Sequence, residues 1–329
     1  HRPPRTRSYI HSRLRLGLNL PSPARHMDSD RIIDTHAFLI GVPKAGTTWL
    51  ANTLSQNPEI CLSDPKEPNI ITSHKGTFRR STLEPNWSEY FQYFKGAGLK
   101  LDASIHTFSC PISAARISEK FENPKFILSL REPVSRSFSH WSMITDTGED
   151  QKWGVDWSDF EVAWADARLK QESFYAESMI RWLEHFQLSD FFIFDSDRLR
   201  QAPEEVLAEI DKFLGLPRYE YSIDLVSHSN SAKRRRRITP FGKFIKTIFS
   251  LVPNFVKAPG VNYLRARDVN IYSLPILSGK RKTNERKKLS GFHYSICVED
   301  ICKDLEKFSK ITNFSTNEWI KAISELAEK

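Results

Sequence analysis

Two glycines five positions apart, a lysine between them and two threonines after the second mark Gly41-Val42-Pro43-Lys44-Ala45-Gly46-Thr47-Thr48-Trp49 as the stretch best suited to chemistry. Phe38, Leu39 and Ile40 precede it as a short apolar strand, and Trp49, Leu50 and Leu54 follow at helical spacing. Glycine lets backbone approach an anion, and the N–H groups that open a helix favour negative charge. The chemistry expected here is the cradling of a phosphate-like group. The glycine spacing and Thr48 fit the nucleotide-binding pattern G-x-x-x-x-G-K-[ST], but Thr47 stands at the lysine position and the lysine lies inside the loop, at Lys44. An ordinary strand-to-helix turn fits the same residues, so the rest of the chain must decide.

Other charged residues stand at the ends of apolar runs. Lys125-Phe126-Ile127-Leu128-Ser129-Leu130, bounded by Pro124 and Pro133, reads as a strand buried on both faces. Arg131 follows at its carboxyl end, where open α/β sheets gather ligands, although a surface ion pair would also account for it. Lys66 and Glu67 lie between Pro65 and Pro68 after the short run Ile60-Cys61-Leu62, and a solvated turn is the competing reading. Asp195 ends Phe191-Phe192-Ile193-Phe194 in the manner of a Walker B aspartate. Asn230 precedes Lys233-Arg234-Arg235-Arg236-Arg237, a phosphate clamp or a solvated face. Phe241, Phe244, Ile245, Ile248, Phe249 and Val252 share a helical face opposite Lys243 and Lys246; packing is expected, with peripheral membrane contact by residues 241–252 as the second reading.

The elements that must position these residues follow from periodicity. Helical patterns at about 111–121, at 203–214 and from Tyr294 through Phe308 alternate with the apolar runs. Phe160, Ala163, Trp164 and Ala167 repeat as core packing, while Trp87, Tyr90, Phe91, Tyr93 and Phe94 form a short aromatic helix in a region placed to cover a site. Continuous apolar strands between amphipathic helices give an α/β fold, a mainly parallel sheet with helices on both faces.

The 329 residues fit one such domain with insertions, over residues 27–329. The formal charge is +8, but residues 1–26 carry six arginines and no acid, so the remainder is nearly balanced against its 40 Asp and Glu. Composition therefore gives no support for nucleic-acid binding. Residues 1–26 read as a disordered leader upstream of Met27, with an organelle transit peptide as the alternative. The absence of a long apolar stretch points to a soluble protein. Cys61, Cys110, Cys297 and Cys302 are scattered without metal-ligand spacing, which fits a reducing, cytoplasmic setting.

Three stretches together resemble the sulfotransferases that use 3′-phosphoadenosine 5′-phosphosulfate (PAPS). Pro43 to Trp49 is similar to that family's 5′-phosphosulfate loop. Arg131 and Ser139, within Leu130-Arg131-Glu132-Pro133-Val134-Ser135-Arg136-Ser137-Phe138-Ser139, are similar to its 3′-phosphate motif. Phe174-Tyr175, Trp182-Leu183 and Phe194-Asp195-Ser196-Asp197-Arg198-Leu199 resemble a later helix and strand. The likeness is nearer the carbohydrate, heparan-sulfate-type and bacterial members than the cytosolic small-molecule branch.

The resemblance implies a P-loop-like fold in which Pro43, Lys44, Ala45, Gly46, Thr47 and Thr48 hold the 5′ end of PAPS and Trp49 lies against the adenine. Arg131 and Ser139 then take the 3′-phosphate, aided by Asn230, Lys233, Arg234 and Arg235, and the product is PAP. A lysine beside backbone N–H groups can offset the charge that builds on the leaving phosphate, so no metal is required. Glu67 matches the glutamate base of the carbohydrate-type members. His106 is the second choice, because the histidine of the small-molecule branch is displaced by one residue here. The acceptor expected is an alcohol, on a glycan or a small molecule. The competing functions are a magnesium-dependent kinase or NTPase, from the glycine spacing and Asp195, and a basic module binding nucleic acid or membrane surfaces. Oligomeric state is not legible in the residues.

Overall fold

The computed structural model describes residues 36–223 and 287–329, together with a two-residue antiparallel pair, Arg237–Ile238 against Ser278–Gly279. All belong to the unit Ile32–Lys329. The leader, Asn230, Lys233, Arg234, Arg235 and the stretch 241–252 lie outside the described residues.

Five strands form the sheet: β1 (Ala37–Gly41), β2 (Ile60–Leu62), β3 (Leu99–Asp102), β4 (Lys125–Leu130) and β5 (Phe191–Asp195). Their order is β2-β3-β1-β4-β5 and every pairing is parallel. The helices are α1 (Thr47–Leu54), α2 (Trp87–Gln92), α3 (Ser113–Lys120), α4 (Pro133–Thr147), α5 (Glu149–Lys152) and α6 (Phe160–Ala165). After them come α7 (Ala167–Lys170), α8 (Tyr175–Leu183), α9 (Ser196–Gln201), α10 (Pro203–Phe213), α11 (Gly291–Thr312) and α12 (Asn317–Ala327).

Side chains alternate along a strand, so each strand feeds two cores. Phe38 and Ile40 of β1, with Phe126, Leu128 and Leu130 of β4, join α4, α8 and α11 through Val134, Met179 and Ile301. Ala37, Leu39 and Ile127 join α1 and α10 through Leu50, Leu54, Val206 and Ile210. The expected mainly parallel sheet with helices on both faces is the one formed.

Two local expectations change. The aromatic helix does not cover a site: Tyr90 is fully buried, with its Oη 2.9 Å from His36 Nε2, and Trp87, Tyr90 and Phe94 ring Phe121 and His36. Large rings gain most by leaving water, and the core was the nearest place to do so. Asp195 does not act as a Walker B acid toward the loop after β1; it caps α9, accepting the Asp197 N–H at 2.8 Å.

Candidate active site

β1 lies at the centre of the sheet. The chain leaves it toward β2 and β3 on one side and later enters β4 on the other, so the carboxyl end of β1 is a topological switch point. There the register with β4 slips, Leu39 pairing Ile127 while Gly41 pairs Leu128. The loop that follows is tied to β4: the Val42 N–H donates to Ser129 O at 2.8 Å, and Ser129 Oγ donates to Ala45 O at 2.7 Å. Gly41 is required by space, since a Cβ there would meet Ile105 O at 2.9 Å. Gly46 is required by conformation, with φ 77° in the left-handed region. Lys44 shares that region at φ 76°, and its Nζ rests 3.6 Å from Met143 Sδ on α4.

α1 opens at Thr47 with no side chain capping it, so its first-turn N–H groups and the positive end of its dipole are available to an anion. Pro43, Ala45 and Thr47 are buried, Thr48 is half-buried, and Trp49, half-buried, leans on the α1 and α10 core.

Arg131 completes this edge. Its Nη1 donates to Lys44 O at 3.1 Å, and Tyr175 Oη donates to Arg131 O at 2.7 Å. Burial lowers the pKa of the guanidinium, and Arg200 adds to this. Among the described residues no carboxylate lies within ion-pair distance of it. A half-buried guanidinium in that position favours an anionic ligand with fork geometry. Glu132 serves the helix itself, accepting the Val134 and Ser135 N–H groups at 2.6 and 2.8 Å. Ser139 and Met143 are four residues apart on α4 and share a face. The Lys44 contact with Met143 turns that face toward the loop. Arg136 lies on the same side of α4 but is fully buried, with Nε donating to Ser173 Oγ at 2.8 Å.

Glu67 and His106 reach the same sheet edge. The Ala103 N–H donates to Lys66 O at 3.3 Å, the Asn69 N–H to Ser104 Oγ at 3.0 Å, and the Phe108 N–H to Ile40 O at 2.9 Å. Glu67 is half-buried and paired with Lys66 at 2.6 Å, which is more confined than a solvated turn. His106 is buried, with Nδ1 2.9 Å from Glu172 Oε1. Sequence reasoning missed Glu172, His140 and Thr77, which stand behind His106. No spacing links them; only the fold brings them together.

Asp102, at the end of β3, is buried, and burial pushes its carboxyl up to about 6 even though Ser104 and Tyr90 hydrogen-bond to it. The folded pKa is raised, so between about 4 and about 6 the native state holds a proton that the unfolded chain has released, and stability falls as pH rises through that window. Asp102→Asn should therefore gain up to about 3 kcal/mol over the parent above about pH 7 and little below about pH 4. Urea midpoints at the two pH values check this, and a gain of equal size at both would contradict it.

Fold and site together define an α/β protein with an anion cradle at its switch point, a basic side chain on each side of the cradle and a carboxylate near it. The sulfotransferase domain family matches residues 34–239, more than half of the chain, and the chain belongs to that family. It is similar to the bifunctional heparan sulfate N-deacetylase/N-sulfotransferase 3 of Homo sapiens, 28% identical over 210 residues that cover 59% of this chain and 24% of that protein. It is also similar to the heparan sulfate glucosamine 3-O-sulfotransferase 5 of Mus musculus, 24% identical over 196 residues, or 55% of this chain and 53% of that one. The matched region thus spans about a quarter to about half of the length of these relatives. A solved sulfotransferase from Alicyclobacillus acidocaldarius shares the fold, with TM-score 0.57 and 15% identity, over 88% of this chain and 99% of that one. Among the described residues, no helix is long and apolar enough to cross a membrane.

Proposed function

We propose that the chain transfers a sulfuryl group from PAPS to a hydroxyl of a glycan. The observation that carries this reading is the bond from Arg131 to Lys44 O, which joins a 5′-phosphate cradle to an arginine with no carboxylate partner among the described residues. PAPS is the donor that sulfotransferases of this family use, and it fits a site with cationic groups for a phosphate at each end. When bound, it supplies a sulfuryl group on a phosphosulfate bridge.

The residues of the chain do the rest. Lys44 and the first-turn N–H groups of α1 hold the 5′ end and offset the charge that develops there as the bond to sulfur breaks. Thr47 and Thr48 add hydroxyls, and Trp49 lies beside the base. Arg131 and Ser139 hold the 3′-phosphate, with one or two of Asn230, Lys233, Arg234 and Arg235 adding to its binding. Glu67 takes the proton of the attacking hydroxyl. Nothing in this division of labour calls for a metal ion, and unchanged turnover in chelator is the expected result. The glycan acceptor is supported by the two heparan sulfate relatives and by Glu67. A soluble, cytoplasmic location goes with the reading, supported by the four unpaired cysteines.

Arg131→Ala tests the donor side. Loss of charge-assisted hydrogen bonds worth about 1.5–3 kcal/mol should weaken PAP binding about ten- to a hundredfold by calorimetry. Unchanged affinity would remove Arg131 from the 3′-phosphate site. The reading as a whole is tested by incubating the chain with labelled PAPS and a panel of glycans, lipids and phenols. ATP turnover with no transfer from PAPS would favour the kinase alternative.

A further inference from the structure

Glu172 lies inside the protein, in the single turn Gln171–Ser173 before α8, and gathers three basic side chains around one carboxylate. Its Oε1 is 2.9 Å from His106 Nδ1, and its Oε2 is 2.7 Å from His140 Nδ1 and 3.0 Å from Arg136 Nη1. Arg136 is fixed in turn by Ser173 Oγ at 2.8 Å and Leu169 O at 3.1 Å. Burial pushes the Glu172 carboxyl up, but His140 and His106, through charge and hydrogen bonds, outweigh it and hold the group well below the usual carboxylate range.

An ionised carboxylate so close to each imidazole needs a proton on the facing Nδ1. For His140 the consequence stays internal. Burial lowers its pKa, and its Nε2 sits 2.9 Å from Thr77 Oγ1. For His106 the consequence reaches the site. Its Nε2 has no hydrogen-bond partner among the described residues, and the side chain keeps 10% exposure beside Ile105, whose carbonyl packs against Gly41. While neutral, a histidine whose Nδ1–H is tied to a buried carboxylate presents only an acceptor at Nε2. His74, itself beside Arg80, and His140 are the other titratable groups near the ring.

We propose that Glu172 is a positioning residue that makes His106 an obligate hydrogen-bond acceptor for a non-reacting hydroxyl of the sulfuryl acceptor, so that the site selects polyhydroxylated molecules. The proposal rests on the transfer reading above, in which Glu67 takes the reacting proton. It assigns His106 to recognition and Glu172 to setting its tautomer.

Two measurements on the full chain test it. Two-bond proton–nitrogen spectra of histidine-labelled protein at neutral pH should show His106 protonated at Nδ1 and bare at Nε2, and Glu172→Gln should mix the tautomers. A parent His106 protonated at Nε2 overturns the proposal, and this readout needs neither a variant that folds nor a known acceptor. With labelled PAPS and heparan sulfate as the probe, His106→Asn keeps a donor toward Glu172 but removes Nε2. It should raise the acceptor KM about three- to tenfold, the worth of one hydrogen bond, with kcat within about twofold and PAP affinity unchanged. A collapse of kcat at constant KM would overturn the recognition role, because His106 would then be taking the reacting proton. Absence of any transfer by the parent protein would sink the proposed function and the recognition role with it, while the tautomer spectrum would still decide what Glu172 does.

Discussion

Lys44→Ala should lower the rate of sulfuryl transfer by about a hundred- to a thousandfold, the usual cost of removing one donor aimed at developing charge. The side chain is half-buried, with Nζ 3.6 Å from Met143 Sδ on α4. The loop should keep its shape. Its ties run through backbone and through other side chains: Val42 N–H to Ser129 O, Ser129 Oγ to Ala45 O, and Arg131 to Lys44 O, which alanine retains. On the proposed function the ground-state grip on the nucleotide would be shared with Arg131 and the opening turn of α1. The loss should therefore fall mainly on kcat, with PAP affinity reduced only about tenfold or less. Single-turnover kinetics with labelled PAPS and calorimetry with PAP separate the two. A fall in PAP affinity that matches the fall in rate would make Lys44 a binding residue and nothing more.

Glu67→Gln should cost about 10²–10⁴ in kcat, the span that positioned proton transfer commonly supplies. Glutamine keeps the length of the side chain, and the backbone contact from Asn69 Nδ2 to Glu67 O at 3.1 Å survives. Lys66 loses its ion pair but retains Ala103 O at 3.4 Å. The local turn should then stand, and PAP affinity should match that of the parent. The diagnostic feature is the split: the donor side intact, the proton-accepting side disabled. If Glu67→Gln turned over like the parent, the proton would have to go elsewhere, and His106 Nε2 is the next acceptor at the same edge.

The fold was legible because its signals were local and redundant. Phe38 to Ile40 and Phe126 to Leu128 are apolar on both faces, which a doubly covered sheet buries. The proximity of Lys44 and Arg131 was legible for a similar reason, since they stand at the ends of the two central strands and the sheet brings them within a hydrogen bond. Glu67 also fell at the expected edge, although confinement by Lys66 and the segment after β3 could not be read from two flanking prolines.

The buried ion cluster was not legible. Glu172 sits 66 residues from His106 and 32 from His140 in a Gln-Glu-Ser turn that resembles any surface turn, and nothing in its neighbours predicts that it would be buried. The aromatic run from Trp87 to Phe94 failed in the opposite sense. Its composition says that the rings will leave water but not which apolar surface receives them, and the core at Phe121 and His36 took them.

On the proposed function, one edge of the sheet holds a phosphosulfate at Lys44 and delivers its sulfuryl group to a glycan. Following radiolabelled sulfur from PAPS into heparan sulfate, with the parent chain and Lys44→Ala side by side, tests it most directly. The predicted result is label in the glycan from the parent chain and a loss of about a hundredfold or more in the variant. Label transferred equally by both proteins, or no label in the glycan from the parent, would contradict it.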